Sequence, residues 1–201
     1  TIRIWDIAKK KNHFETLTLW KGLQNKVITH AAMHPTEEGL MAFATQENEL
    51  TLYDLYTHSA IMTFEKQHLH VKFMKWVPMI YLLTIYNDAM RNSLSRKTPQ
   101  ETKDSQFECF FSKFNRNHKK AIPADSILLV VSESYGILLV DFAKEGIIRM
   151  DIGSTQVLSF DLIHRTVGPL KQTLMAHGNK TGEVVFNFCD SEFKQKDLRV
   201  K

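Results

Sequence analysis

Two pairs of histidines have spacings that could bind a metal ion. His30 and His34 have the spacing of the helical zinc motif, but the glutamate of that motif is absent and the pair leads into Pro35 from a predicted strand. His68 and His70 could offer two ring nitrogens from one face of a strand, yet no third ligand is evident near them. The sequence therefore predicts no metal site and favours an ordinary loop at His68 and His70.

Motifs of nucleophilic and nucleotide-dependent catalysis are absent from the sequence. It contains no Gly-x-Ser-x-Gly turn, no phosphate-binding Gly-Lys-Ser loop and no Gly-x-Gly-x-x-Gly after a strand. We therefore expect a protein that is not an enzyme and that uses no cofactor and no small-molecule substrate.

The composition is typical of a globular protein. Of the 201 residues, 43% are hydrophobic and 24% are charged, as expected for a chain that buries a core. No apolar run reaches the roughly 18 residues that span a bilayer, and residues 1–7 lack the pattern of a secretion signal. Cys109 and Cys189 form no Cys-x-x-Cys site, and the glycosylation sequon at Asn179 matters only in a secreted chain. We expect an intracellular protein, or an internal piece of one, without membrane contact.

Basic residues are concentrated in one polar segment. The net charge of the chain is +4, and the part from Arg91 to Lys120 carries +5 from eight basic and three acidic residues, so the remainder carries −1. Residues 87–123 follow no sustained period of 2 or 3.6. We interpret residues 87–123 as a basic insertion loop, either a solvated loop or an arm that contacts phosphates. The basic residues are Arg91, Arg96, Lys97, Lys103, Lys113, Arg116, Lys119 and Lys120.

Short apolar or alternating runs fill the rest of the chain. They are about 5 to 9 residues long, rich in Val, Ile, Leu, Phe and Thr, and bounded by Gly, Pro, Asn, Asp or Ser. This pattern is typical of short antiparallel strands. The sequence therefore predicts an all-β fold.

The order of these runs repeats along the chain. One unit runs from "KVITHAAMHP" through "GLMAFAT" and "LTLYDL" to "SAIMTFE", and the next runs from "VKFMKWVP" across the insertion through "SILLVVS" and "ILLVDF" to "GIIRMDI". A third begins at "VLSFDLI" and continues through "QTLMAHG" and "EVVFNF". Without the insertion the spacing is about 40 to 45 residues, the period of a WD-repeat blade. Residues 1–201 are therefore predicted to form a WD-repeat β-propeller segment of about three to four blades.

Two aromatic–aspartate pairs occupy the place of the Trp-Asp pair of such repeats. Trp5 and Asp6 supply this pair unaltered, and Tyr53 and Asp54 take its place in the next repeat. The aromatic ring there fills the space between blades, and the aspartate accepts hydrogen bonds at a turn. We predict architectural roles for these four residues, and no catalytic residue among them.

The number of repeats is small for a closed ring. Propellers have roughly four to eight blades, and seven blades of about 40 residues would need about 280 residues. We therefore expect this chain to be a segment of a longer propeller protein.

Residues in the first third of the chain carry a specific resemblance. "WKGLQNKV" (20–27), "HPTEEG" (34–39), "MAFAT" (41–45) and "LYD" (52–54) together resemble the WD-repeat Gemin family, the RNA-recognising part of the survival-of-motor-neuron complex. The resemblance extends from about residue 1 to 60. Beyond residue 71 it rests on strand order, on the "WVP" at 76–78 and on the long insertion.

The resemblance implies both an architecture and a function. It implies two adjoining seven-bladed propellers and recognition of small nuclear RNA precursors, through their Sm site and cap, for spliceosomal snRNP assembly. The partners it implies are small nuclear RNA and other subunits of the survival-of-motor-neuron complex. The location it implies is the cytoplasm, with nuclear bodies as a second location. Most of the family's cap-binding aromatic residues lie in repeats that do not correspond to this chain, so the resemblance assigns no cap site here.

Three residues near predicted strand starts are the candidate RNA contacts. Lys26 precedes the first strand of one repeat, and His70 and Lys72 lie at the start of the next. Aligning on Trp76 places Lys72 where the family has a tyrosine, and a lysine can contact a phosphate but cannot stack on a base as a tyrosine does. We therefore predict phosphate contacts for the two lysines and base stacking for His70.

A second function is compatible with the same repeats. WD-repeat propellers most often act as protein–protein interaction scaffolds, and one propeller fold hosts many functions. The alternative prediction is therefore a scaffold without direct RNA contact.

Overall fold

The fold was analysed in a computed structural model of the 201-residue chain. The structure describes residues 2–5, 14–17, 26–82, 107–110, 114–117, 120–150, 157–167, 170–189 and 197–200. Within these ranges no helix is long and apolar enough to cross a membrane.

Strands make up almost all of the described secondary structure, together with one short 3-10 helix, Met79–Tyr81. The strands are β1 (Ile2–Trp5), β2 (Phe14–Leu17), β3 (Ile28–Met33), β4 (Leu40–Thr45), β5 (Glu49–Asp54), β6 (Ser59–Glu65), β7 (Val71–Pro78), β8 (Phe107–Phe110), β9 (Phe114–Arg116), β10 (Ser126–Ser132), β11 (Gly136–Asp141), β12 (Gly146–Met150), β13 (Val157–Val167), β14 (Leu170–Asn179), β15 (Val184–Cys189) and β16 (Asp197–Val200).

The strands form four antiparallel sheets. The first blade has the order β3-β4-β5-β6-β9, the second blade β7-β10-β11-β12-β8 and the third blade β13-β14-β15-β16, while β1 pairs with β2. The first and second blades contain four strands in the predicted order, each on its predicted run or within a residue or two of it. In the third blade β13 extends four residues beyond its predicted run, and β16 lies on no predicted run. The prediction of an all-β WD-repeat β-propeller segment is confirmed.

The second blade is buried on both of its faces. Leu128 and Val130 of β10 pack in a cluster with residues of the first blade, whereas Leu129 and Val131 pack in a cluster that includes residues of the third blade. Because alternate residues of a strand point to opposite faces, a strand covered on both sides must be apolar throughout. This explains the unbroken apolar run "ILLVV" at 127–131.

The basic insertion contains two strands that the sequence did not predict. β8 pairs with β12, the outer strand of the second blade, and β9 pairs with β6, the outer strand of the first blade. Only residues 111–113 separate β8 from β9. Residues 107–110 and 114–116 are therefore strands and not loop, and the insertion adds a fifth strand to each of two adjacent blades.

The returning part of the insertion is held by aromatic and charged contacts. The Phe114 ring lies 5.3 Å from that of Phe64 in the first blade and 6.0 Å from that of Phe142 in the second. Arg116 pairs with Glu145 at 3.3 Å. Two of the eight basic residues assigned to a possible phosphate-contacting arm, Arg116 and Lys120, therefore have acidic partners within the chain. The other six lie outside the described residues.

Asp54 lies at a turn, where its carboxylate has two hydrogen-bond donors. Its Oδ1 accepts the backbone N–H of Tyr56 at 3.0 Å, and its Oδ2 accepts a hydrogen bond from Lys120 Nζ at 3.0 Å. Burial by itself raises the pKa of Asp54. The hydrogen bonds from Lys120 and from the Tyr56 backbone, together with the charge of Lys120, outweigh burial and hold this pKa below its ordinary value. Asp54 is therefore an anion that ties the insertion to the first blade.

Tyr53 is fully buried, and its ring packs edge-on against Phe43 with centroids 5.7 Å apart. Both belong to the apolar cluster on the face of the first blade that is turned away from the second blade. The Trp5 side chain and Asp6, the other predicted architectural pair, lie outside what the structure describes.

The loop between β3 and β4 is built around the buried ring of His34. Its Nδ1 accepts the backbone N–H of Glu37 at 3.1 Å, and its ring packs edge-on against Trp76 of the second blade at 4.5 Å. Burial lowers the pKa of His34 below its ordinary value of 6.5, against the smaller upward effects of Asp125 and Glu37. His34 is therefore neutral in the folded protein at neutral pH.

Protonation of His34 should destabilise the fold. Because its pKa is lowered on folding, the unfolded chain binds the proton more tightly, so stability is retained above pH 6.5 and falls as the pH drops below that value. We expect the free energy of unfolding, measured by chemical denaturation between pH 7.5 and pH 5, to fall less in His34→Asn than in the unmodified protein. His58→Ala, which alters an exposed histidine, should retain the full fall, and equal pH dependence in all three proteins would contradict this role.

Phe114 should contribute to stability although it belongs to the insertion. Truncating a largely buried phenylalanine usually costs several kcal/mol, and for the half-buried Phe114 we expect Phe114→Ala to lower the free energy of unfolding by about 2 kcal/mol. Ile80→Ala, which removes a 52% exposed side chain from the start of the same connection, should change it by less than about 0.5 kcal/mol. Equal effects of the two substitutions in chemical denaturation would show that β9 is not docked.

Candidate functional site

The connections between strands lie at two opposite ends of the blades. Because successive strands are antiparallel, the turns at 46–48, 133–135 and 180–183 lie at one end, together with the β6–β7 connection at 66–70. We call this end the first face. The loops at 34–39, 55–58 and 142–145 lie at the other end, which we call the second face.

Lys26 lies at the first face, but it already has an acidic partner. Its Nζ forms an ion pair with Glu49 Oε2, and the two side chains are 28% and 11% exposed. Separating a pair in which one member is largely buried leaves a desolvated charge, which is costly. Lys26 is thus less available to a phosphate than the sequence suggested.

His70 and Lys72 also lie at the first face, and Glu133 of the second blade joins them. Lys72 Nζ lies 3.0 Å from Glu133 Oε2. The backbone N–H of Glu133 donates to the carbonyl oxygen of His70 at 3.1 Å, and the backbone N–H of His70 donates to Asn48 Oδ1 at 3.1 Å. His70 and Lys72 are therefore fixed between the turns of two blades.

These residues border a small pocket, which we call the first-face pocket. It has a volume of about 150 Å³, well below the roughly 300–1,000 Å³ of pockets that enclose drug-sized molecules. Hydroxyl, amide and charged side chains dominate its walls. The lining residues are Thr29, Thr45, Gln46, Asn48, His70, Val71, Lys72 and Glu133.

Strained backbone surrounds the pocket. Asn48, His68 and His70 have φ values of 67°, 58° and 32°, in a region that residues with a Cβ rarely adopt. Such strain costs on the order of 1–3 kcal/mol per residue and persists only where the surroundings enforce it, often at binding sites.

Contacts of the β6–β7 connection with the second blade enforce this conformation. Tyr135 Oη donates to the Gln67 carbonyl at 2.8 Å, and the Ser132 hydroxyl donates to the Leu69 carbonyl. Lys66 Nζ lies 4.5 Å from the centroid of the Tyr135 ring. The β6–β7 connection is thereby tied to the β10–β11 turn, so the pocket is held in one shape.

The described part of the first face carries no formal net charge. Five basic and five acidic side chains lie on its turns and strand ends, and they cancel. The basic ones are Lys26, Lys66, Lys72, Arg149 and Lys180, and the acidic ones are Glu47, Glu49, Glu65, Glu133 and Glu183. A surface of this kind gives little long-range attraction to a polyanion.

Glu133 is an anion at neutral pH. The hydrogen bond from Lys72, followed by the charge of Lys72, lowers the pKa of Glu133, and the more distant charges of Lys180 and His70 act in the same direction. Sequence reasoning did not select Glu133 or Asn48. Both lie in the polar turns "ESYG" and "QENE", which the repeat pattern places at equivalent positions, so aligning the repeats is the signal that could have found them.

The two histidine pairs do not converge on a common point. His30 Nε2 lies 3.1 Å from the Lys72 carbonyl oxygen, whereas the His34 ring is buried beside Trp76. The rings of His68 and His70 have centroids 6.2 Å apart. Among the residues that the structure describes, no group of three or more His, Cys, Asp and Glu side chains is arranged to hold a metal ion.

The sequon at Asn179 is a structural turn. Asn179 Oδ1 accepts hydrogen bonds from the backbone N–H groups of Thr181 and Glu183, both at 3.0 Å, and the residue is 5% exposed. The side-chain amide is thus used inside the fold, and it is not presented to solvent.

Comparison with known proteins gives a similar human sequence and, among the solved structures, a similar WD40 domain. The chain is 30% identical over 97 residues to human Gem-associated protein 5, an overlap that covers 47% of this chain and 6% of that protein. This chain therefore matches only a small fraction of the length of that relative. A crystal structure of the WD40 domain of SCAP from fission yeast aligns with 87% of this chain and 34% of its own, at 11% identity and a TM-score of 0.42. No protein-family model matches the chain.

The pairing of Lys72 with Glu133 can be tested by titration. Because the hydrogen bond and charge of Lys72 are the main causes of the lowered pKa of Glu133, Lys72→Met should raise that pKa toward its ordinary value. The pKa can be followed by carbon NMR of the labelled carboxyl group. Lys66→Met removes a lysine from the same face and should leave the pKa of Glu133 unchanged, while an unchanged pKa in Lys72→Met would mean that the pair does not form in solution.

Proposed function

We propose that this chain is part of an RNA-binding WD-repeat subunit, related to the Gemin family, that recognises small nuclear RNA precursors by their Sm site and cap for snRNP assembly. The similarity to human Gem-associated protein 5 supports this proposal. The partners are then small nuclear RNA and other subunits of the survival-of-motor-neuron complex. We place its action in the cytoplasm and in nuclear bodies, and we propose no enzymatic step.

The first-face pocket is the structural feature that supports RNA binding. It brings together two residues with strained backbone, Asn48 and the exposed His70, and an exposed ion pair at the junction of two blades. Two of the three predicted RNA contacts, His70 and Lys72, line it. Single-stranded RNA is bound on such surfaces by stacking and by hydrogen bonds to the edges of unpaired bases.

The ion pairs decide which contacts are available to RNA. An exposed pair contributes only about 0–1 kcal/mol, so Lys72 can exchange Glu133 for a ligand at small cost. Lys26 would have to leave the largely buried Glu49, which is less favourable. RNA recognition at this face therefore relies on His70, Lys72 and the polar walls of the pocket more than on phosphate contacts.

A protein-interaction scaffold remains the second candidate. The absence of net charge among the described residues of the first face favours a protein partner over a polyanion that is recognised by its backbone alone. The two candidates differ in their response to a short RNA, which only the first should bind.

His70 should contribute to RNA affinity. Removing a stacking partner of a base costs about 1 kcal/mol or somewhat more, so His70→Ala in the full-length protein should weaken binding to a short single-stranded RNA with an Sm-type uridine run about fivefold. Fluorescence anisotropy measures this directly.

His58→Ala is the matched control for this experiment. His58 is also exposed and also has positive φ, at 51°, but it lies on the second face. Its replacement should leave RNA affinity unchanged. Equal affinities for the unmodified protein and both variants would contradict the RNA contact assigned to His70, and lack of any RNA binding by the full-length protein would favour the scaffold.

A further inference from the structure

The mouth of the first-face pocket presents a cation beside a carboxylate. Lys72 Nζ and Glu133 Oε2 are 3.0 Å apart, and their side chains are 49% and 38% exposed. Both side chains line the pocket. A ligand can therefore reach both groups from solvent at the same time.

The two groups have complementary hydrogen-bonding capacities. An ionised carboxylate only accepts, and its two oxygens have about four lone-pair sites between them, whereas a lysine ammonium has three N–H donors. Lys72 can thus donate to a ligand while it keeps Glu133. Glu133 can accept two further donors while it keeps Lys72. The pair is suited to a planar ligand whose edge has two adjacent donors beside one acceptor.

Among the four RNA bases, only guanine has such an edge. Its N1–H and N2–H donate side by side, and O6 next to them accepts. Uracil has one donor between two carbonyl oxygens, so one of these oxygens would face a carboxylate oxygen. Adenine and cytosine each present a single amino donor, which would leave half of the carboxylate unused. An unpaired or repulsive polar contact disfavours the wrong ligand more strongly than a lost apolar contact does.

Building on the RNA-binding function proposed above, we propose that the first-face pocket binds the Watson–Crick edge of one unpaired guanine. Glu133 accepts hydrogen bonds from N1–H and N2–H, and Lys72 donates to O6. Such bidentate recognition discriminates among bases by about one to two orders of magnitude in affinity.

The surroundings of the pair agree with a single flat ligand. The pocket volume of about 150 Å³ has room for one base edge and not for a larger molecule. The exposed His70 lines the same pocket, so an aromatic ring is available beside a bound base. Because both blades hold the backbone of this pocket in place, little conformational freedom is lost on binding.

A guanine could be part of an RNA chain or of a free nucleotide. The two sources share the same edge, so they are separated by experiment. The first arm measures binding of the full-length protein to decauridine and to three derivatives in which one central uridine is replaced by guanosine, adenosine or cytidine. The second arm follows the first-face amides by NMR during titration with GMP and with UMP.

We expect the guanosine-containing RNA to bind about tenfold more tightly than decauridine, and the adenosine and cytidine derivatives to bind within about threefold of decauridine. Glu133→Gln replaces one acceptor oxygen by a donor and should abolish the guanosine preference. Glu47→Gln removes the same charge from the same face, but Glu47 does not line the pocket, so this variant should keep the preference.

The outcomes separate this inference from the function on which it builds. RNA binding without a guanosine preference, or with a preference that survives Glu133→Gln, would overturn the guanine assignment and leave RNA binding in place. GMP binding that Glu133→Gln abolishes, with no binding to any RNA, would support the guanine pocket and overturn the RNA function. Binding of neither RNA nor GMP would overturn both.

Discussion

The packing of the second blade between its two neighbours is the interaction on which the rest of the structure depends. Alternate residues of β10 and β11 belong to two different apolar clusters, so one strand contributes to two inter-blade cores. Full burial of a leucine contributes about 2 kcal/mol, and several are fully buried on each face. Within the packed second blade, the pairing of β7 with β10 sets the distance between the β6–β7 connection and the β10–β11 turn. The ion pair between Lys72 and Glu133, the bond from Glu133 to His70 and the shape of the first-face pocket all follow from it.

The insertion shows how a polar, basic segment becomes part of a regular fold. An outer strand leaves backbone groups unpaired, and β8 and β9 satisfy such groups on β12 and β6. Backbone pairing requires no apolar pattern in the added strand, which is why a segment without periodicity can still provide it. Phe114 supplies aromatic contacts to both blades, and Arg116 and Lys120 are neutralised by acidic partners. Part of the positive charge that the sequence offers to an external polyanion is thus used inside the molecule.

The sequence predicted the strands well and the site only in part. Most blade strands were visible because local pattern and turn residues define them, but β16 lies on no apolar run. β8 and β9 were not visible either, since their partners lie on the outer strands of the blades. His70 and Lys72 were placed at the same end of the fold from strand starts alone. Their partner Glu133 lies 61 residues beyond Lys72 in the sequence. The positive φ of His70 could not be read from the sequence either, because a histidine does not by itself indicate this backbone conformation. Partners that are far apart in the sequence and enforced backbone conformations come from tertiary packing, which a single sequence does not reveal.

The charge balance of the first face limits the kind of recognition that it can perform. A surface that attracts a polyanion by its electrostatic field needs an excess of positive charge, and the affinity then falls steeply as the salt concentration rises. The described residues of this face instead carry equal numbers of basic and acidic side chains, so attraction at a distance is weak and selection takes place at contact. Contact recognition needs groups held in fixed positions, and the bonds between the two blades hold the pocket in this way. The strained backbone at Asn48, His68 and His70 lowers the stability of the fold. This cost is consistent with a face that distinguishes ligands by their hydrogen-bonding edge and not by their charge.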